Sequence, residues 1–566
     1  MKKTLTIIGL AMATLAGVNA QTSFTGNSST GHWFSNRWNN SADAAPFTSA
    51  FTANNTASFT AGNYTFTGGG TGNVGNIIVA TGANVTFSAA SGTLGTGGNV
   101  RTITVGSGSL LDFNTNAIST AAGVGFIKSG AGVLALSGGT YAGGFTLNAG
   151  TVILRGVNAM GDGGLLTLNG GTVAGSATRN LTDKYDSGIV IGGDVQFGEV
   201  ASNVSIALNT ANLTFNNNVA LGAATRAFTI GNNGTQTFSG VISGSAGTGL
   251  TIKANVGTTG SIVLSGTNTY TGLTDVQSGT LTLGNATNTI ANTSNVTVSG
   301  GTLNVANSDT VGAVTLSSGL ISGVGTLTGS SYSLTNTGTI SAALGGSGNL
   351  TKTGAGTATL SGNNSLTGST LVSAGTLLLS GNATMGSGNV TVNGGLDLSG
   401  ITGSTYSLTN SQTLSGNGTI TTTGKTLSVA GILNPGNSPG TLSVTGNLTL
   451  TSTAVSNFEI TGTTAGLFDS LAVSGLLTLG GGTLNLSTTY GFAVNDFVDI
   501  LNFGSVSGTF STITGTDLGG GLSWDTSALY TTGVITVVPE PKTWALIALG
   551  SAFMLWNLRR KRSIKA

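Results

Sequence analysis

No cysteine occurs among the 566 residues, there is one histidine and there are five prolines, and only 6% of the chain is charged. Without cysteine there is no disulfide, no thiolate metal site and no cysteine nucleophile. A single histidine, His32, cannot supply a metal cluster, and a hydrolase triad would need serine and carboxylate partners placed by the fold. The 18 basic and 17 acidic residues leave a net charge of +1. No basic stripe is present to displace counterions from a phosphate backbone, which excludes nucleic acid as a partner. Scarce charge alone would allow disorder, but 39% of the residues are hydrophobic, so there is material for a core. The 95 glycines follow no three-residue period, which excludes collagen. Nothing in this inventory calls for a cofactor.

What is abundant is alternation. Runs of four to eight residues place Val, Leu or Ile at every second position, with Thr, Ser or Asn between them. That is the period of a half-buried strand, and Asn-Gly, Ser-Gly and Gly-Gly pairs mark the turns. Three stretches, 127–154, 251–283 and 350–379, align with one another. Each carries Leu-Ser-Gly, headed by Leu136, Leu264 and Leu360, then Tyr141, Tyr270 or Leu366, then a Gly-Thr pair at Gly150, Gly279 or Gly375. Turn-plus-strand units recur at about twenty-residue spacing, a solenoid period. Amphipathic helices are absent between the strands, so the pattern predicts an all-β, right-handed parallel β-helix (β-solenoid). Its corners need glycines at positive φ, and its exposed end rungs need caps.

The two ends differ from this body. Lys2 and Lys3, an apolar stretch, and Val18-Asn19-Ala20 form a signal peptide cut between Ala20 and Gln21. At the other end Pro539-Glu540-Pro541 precedes an apolar run from Trp544 to Leu558 and the basic cluster Arg559-Arg560-Lys561-Arg562. This order resembles the PEP-CTERM sorting signal of Gram-negative bacteria. The resemblance implies a C-terminal single transmembrane helix over 544–558 and a processing role for Pro539, Glu540 and Pro541. It also implies an exosortase-type protease as partner. The proline segment is expected to stay out of the preceding sheet, within reach of a protease. The three aligned stretches resemble the autotransporter-associated β-strand repeat of bacterial passenger domains, and ILNPGNSPGTLSVTGNLTL at 432–450, with the run that follows to about Phe510, resembles the C-terminal part of such passengers. A true autotransporter ends in an amphipathic barrel, and the tail argues against one here.

Candidate chemistry is thin. Trp33, Phe34 and Trp38 beside His32 suit stacking on sugar rings, or a plug at the solenoid end. Arg179, Asp183, Lys184, Tyr185 and Asp186 form the densest charge, read either as a solvated loop or as a carboxylate pair for a lyase or glycosidase. Asp496 and Asp499 are expected to face solvent. No metal site and no catalytic residue is assigned. The expected organisation is a signal peptide (1–20), an N-terminal cap and first coils (21–126), a repeat solenoid (127–440), a C-terminal β-rich part (441–536) and a sorting signal (537–566). The expected function is a non-enzymatic structural or adhesive protein, held at the inner membrane before processing and then displayed at the cell surface or in the matrix. Polysaccharide binding or degradation and an autotransporter-like passenger are the alternatives, with extracellular polysaccharide or matrix as the partner class.

Overall fold

A computed structural model describes residues 101–540 except 120–122, 183, 200–209 and 438, short strands and turns between 23 and 94, and residues 550–557 with Arg560. The chain divides into two compact units, 1–329 and 330–566. Within each, parallel strands stack rung on rung into a right-handed β-solenoid, as the alternation predicts.

In the first unit ten strands, from Ser23–Gly26 to Ile242–Ser243, form one parallel face. On its inner side Phe126, Phe145, Leu166, Ile189, Val219 and Ile242 lie one above another, none more than 2% exposed. A long strand, Val296–Val305, turns a corner within itself. Its first half pairs with Thr274–Val276 and its second half with Thr280–Leu283. In the second unit Leu350, Thr370, Val390, Leu414, Leu433, Ser456, Leu484 and Ile513 make one continuous column.

The repeat motif residues lie where the spacing puts them. Leu136, Leu264, Leu360, Tyr141, Tyr270 and Leu366 are all buried. The glycines of the Gly-Thr pairs take φ of 78° at Gly150, 71° at Gly279 and 64° at Gly375. A Cβ on Gly375 would also stand against the carbonyl oxygens of Gly354 and Gly356 in the rung below, so this corner excludes side chains for two independent reasons.

The parallel stack stops at Leu501–Thr509 and Thr512–Thr514. The chain then forms an antiparallel four-stranded sheet, in the order Phe497–Asp499, Val534–Pro539, Leu522–Asp525 and Asp517–Gly519. Gly519, Gly520 and Gly521 all have positive φ, which permits a tight hairpin in place of another coil.

Two expectations at this end are corrected. Pro539 is not held out of the sheet. It pairs with Leu522 as the last residue of its strand, and the Glu540 N–H donates to the Gly521 carbonyl at 2.8 Å. A strand terminus tolerates proline because no ladder bond is demanded of its nitrogen. The second correction concerns the transmembrane helix. Among the described residues no helix is long and apolar enough to cross a membrane. The transient inner-membrane anchor, and the exosortase step that depends on it, lose their structural basis together.

Replacing Gly375 by alanine is expected to destabilise the second unit by about 2–4 kcal/mol, from left-handed strain plus the carbonyl clash. Gly424, also at positive φ (71°) but with open space around it, is expected to lose only about 1 kcal/mol on the same change. Urea denaturation of the two variants measures the difference.

Candidate functional site

Of the charged stretch at 179–186, Arg179, Lys184 and Tyr185 are drawn into contacts with neighbouring coils and the core. Arg179 is spent on the backbone: its guanidinium donates to the carbonyls of Leu154 (3.3 Å) and Arg155, and to Ser176 Oγ (3.2 Å). Lys184 Nζ reaches Asp162 Oδ2 at 3.5 Å, and Tyr185 is a core residue. Asp186 is exposed, and Asp183 lies outside the described residues. Between the 185–188 turn and residues 216–218 of the next rung is an open polar depression of about 350 Å³. No group of three or more His, Cys, Asp or Glu that could hold a metal ion is found among the described residues.

The remaining predicted positions divide simply. Pro539 and Glu540 are in the terminal sheet as described. Arg560 places its guanidinium 5.4 Å from the Trp556 ring centre. Ala20, Gln21, His32, Trp33, Phe34, Trp38, Pro541, Trp544, Leu558, Arg559, Lys561 and Arg562 lie outside the described residues. Asp499 faces solvent, and half-buried Asp496 accepts the Ala493 N–H at 2.7 Å.

The polar groups that matter most are ones the sequence reading passed over. Lys128 and Lys352 occupy equivalent positions in the first and third aligned stretches, and both are fully buried. The Lys128 ammonium donates to the carbonyls of Ser129 (3.0 Å), Gly130 (2.7 Å) and Ala149 (3.0 Å), closing the glycine corner onto the next rung. Lys352 does the same with Gly354 and Ala374. Burial pushes the Lys128 ammonium down to about 8, since an uncompensated buried charge favours the neutral form. In the second stretch the position is Ile252, also buried.

Carboxylates are used in the mirror-image way. Asp309 is 3% exposed and accepts backbone N–H groups of Thr289 (3.2 Å), Ile290 (3.0 Å) and Thr310 (3.0 Å). Desolvation outweighs these donors and pushes its carboxyl up to about 6. Asp469 binds Gly440 N–H and Glu459 N–H, each at 2.9 Å, which pins the Asn434-to-Gly440 loop. Asp112 instead holds Arg155 through two bonds of 2.9 and 2.7 Å.

Buried asparagines join three rungs at a time. Asn268 accepts from Ile242 N–H (2.7 Å) and donates to the Thr289 carbonyl (2.7 Å). Asn364 does likewise with Leu344 (2.9 Å) and Thr384 (2.8 Å). Both follow the Leu-Ser-Gly motif by the same interval, which is the one signal that pointed to them. Farther on, Asn434, Asn457 and Asn485 form a half-buried amide ladder with bonds of 2.9 and 2.8 Å.

This arrangement positions backbone; the class it defines is a repeat solenoid whose polar residues fasten coils. Comparison with known proteins agrees. The passenger-associated-transport-repeat family model matches residues 126–154, 259–283 and 350–379. Each match spans a rung and its successor: Val133 pairs with Thr151, Ser261 with Thr280 and Thr357 with Thr376. No curated protein matches the chain. The protein is therefore an all-β solenoid with passenger-like transport repeats.

Two pH effects of opposite sign follow from the buried groups. Asp309 keeps its proton to about pH 6 when folded but only to about 3.9 when unfolded. Its contribution is full below pH 4 and is lost as pH rises through 6, on the order of 2–3 kcal/mol. Lys128 loses its proton near pH 8 when folded and near 10.4 when unfolded, so its contribution grows as pH rises from 8 to 10.4. Thermal melts across these windows, compared with Asp309→Asn and Lys128→Met, should show each slope abolished by its own substitution alone.

Proposed function

We propose that this chain is a non-catalytic, exported passenger, a β-solenoid displayed outside the cell as a structural or adhesive body. The observation that carries the reading is the coincidence of three passenger-repeat matches with three rung pairs of the solenoid. Two further features support it. The signal-peptide pattern at the N-terminus directs export, and a body cross-linked by ladders, amides and buried caps has no need of disulfides. With only 18 Lys and Arg in 566 residues, trypsin-like proteases find few sites, as suits an extracellular body. Its role is mechanical, since no side-chain cluster of the described coils is arranged for proton transfer or nucleophilic attack.

Pro539-Glu540-Pro541 is the proposed processing point of the tail. Pro539 is the last residue of the terminal strand, so a cut just beyond it leaves the sheet intact.

Cell fractionation with intact-mass measurement tests this reading. The expected product starts at Gln21, ends near Pro541, and appears in the surface or medium fraction in a form that resists added trypsin. A full-length chain retained inside the cell would refute the passenger reading.

A further inference from the structure

Asn-Gly pairs mark turns of the solenoid, and the chain holds four of them, headed by Asn169, Asn233, Asn393 and Asn417. Such a pair is also reactive. Glycine has no side chain to shield its backbone nitrogen, and the amide carbon of the preceding asparagine lies within that nitrogen's reach. Reaction needs the glycine N–H out of hydrogen bonding and room for a ring to close. The coils deny both at three of the four pairs. The Gly234 N–H donates to Asn232 Oδ1 (3.1 Å), the Gly394 N–H to the Val372 carbonyl (2.9 Å) and the Gly418 N–H to the Val392 carbonyl (2.8 Å). A Cβ built on Gly234, Gly394 or Gly418 would run into the backbone carbonyl oxygen of Ala211, Gly375 or Gly394 respectively.

Asn169-Gly170 is the exception. The Gly170 N–H has no acceptor among the described residues, and a Cβ on Gly170 would meet nothing nearer than 3.5 Å. Asn169 itself is exposed. On either side the corner is anchored: the Asn169 N–H donates to the Leu147 carbonyl and the Thr172 N–H to the Gly150 carbonyl, each at 2.8 Å. The contrast with Asn393 is the sharpest, because both sites read Asn-Gly-Gly. There the Asn393 and Gly394 N–H groups share the Val372 carbonyl. Local sequence is the same at the two corners, and only the seating of one coil on the next differs.

We propose that Asn169-Gly170 is a site of spontaneous deamidation, selected by the fold from four pairs of the same sequence. Hydroxide takes the Gly170 amide proton, and the nitrogen attacks Asn169 Cγ. An N–Cγ bond forms, the Cγ–Nδ2 bond breaks, and the side-chain nitrogen takes a proton from water and leaves as ammonia. The product is a five-membered succinimide. Water adds to one of its two carbonyls and opens the ring to an aspartate or an isoaspartate at position 169. Either product puts a carboxylate where Asn169 Nδ2 now donates to Asn148 Oδ1 at 2.9 Å, so a bond between coils is lost. The isoaspartate also adds one carbon to the backbone at the corner. The inference stands on the hydrogen bonding of the corners and is independent of how the chain is exported or processed.

The test compares the purified full chain, folded at mildly alkaline pH, with the same chain in guanidinium chloride. Peptide mapping by mass spectrometry follows each asparagine through loss of ammonia and the later gain of water. In the folded chain Asn169 is expected to convert at least about tenfold faster than Asn233, Asn393 or Asn417, whose glycines must wait for local opening. In guanidinium chloride the four should convert at similar rates. Asn169→Gln should keep the fold by circular dichroism and remove the early release of ammonia. Conversion of Asn169 no faster than that of Asn393 in the folded chain, the same preference for Asn169 in the unfolded chain, or an ammonia release that Asn169→Gln leaves unchanged would each overturn the proposal.

Discussion

Every rung of this protein satisfies its backbone on its neighbours, and that single requirement shapes the rest. A coil of eighteen to thirty residues, as from Val133 to Thr151 or from Leu471 to Leu501, has no internal ladder of its own. Outside its turns, its N–H and C=O groups find partners in the coils before and after. Because unpaired buried backbone is costly, the corners must let one coil settle closely on the next. Glycine at Gly150 and Gly375 makes that approach possible, and the inward columns of Leu, Val, Ile and Phe then fill the space between the faces.

The same requirement explains how so few charges are handled. At the corners some carbonyls and N–H groups point away from the ladder, and side chains take their place. Lys128 and Lys352 gather carbonyls, Asp309 and Asp469 gather N–H groups, and Asn268 and Asn364 do both at once. In each case the ionised or amide group reaches partners in a neighbouring coil, and the two asparagines reach a coil on either side. The polar residues of the interior are therefore fasteners between coils. That is why Arg179 and Tyr185 of the charged stretch are bound up with backbone and core.

A stack built this way has ends, and the C-terminal end is treated differently from the middle. The switch from parallel rungs to an antiparallel sheet follows from local chemistry, three consecutive glycines at positive φ, and it terminates the repeat. The segment leading into that sheet meets the last rung, where the Ile500 and Leu501 N–H groups donate to the Gly533 carbonyl and the Phe510 N–H to the Tyr530 hydroxyl.

How much of this could be read in advance depends on distance along the chain. Alternation, the Leu-Ser-Gly and Gly-Thr landmarks and the glycine-marked turns are local signals. From them the amino-acid sequence by itself determined the strand content, the solenoid class, the buried status of Leu136, Tyr270 and Leu360, and the positive φ of Gly150, Gly279 and Gly375. The membrane helix expected over 544–558 came from the resemblance of the tail to a sorting signal, and among the described residues no helix is long and apolar enough to cross a membrane. The tertiary structure alone decided which residues meet across rungs. Lys128 reaches Ala149, Asn268 reaches Ile242 and Thr289, and Asp469 reaches Gly440 over offsets that vary with coil length, so no fixed spacing announces them. It alone also decided that Pro539 joins the terminal sheet, because that depends on which strand is the last to find a partner.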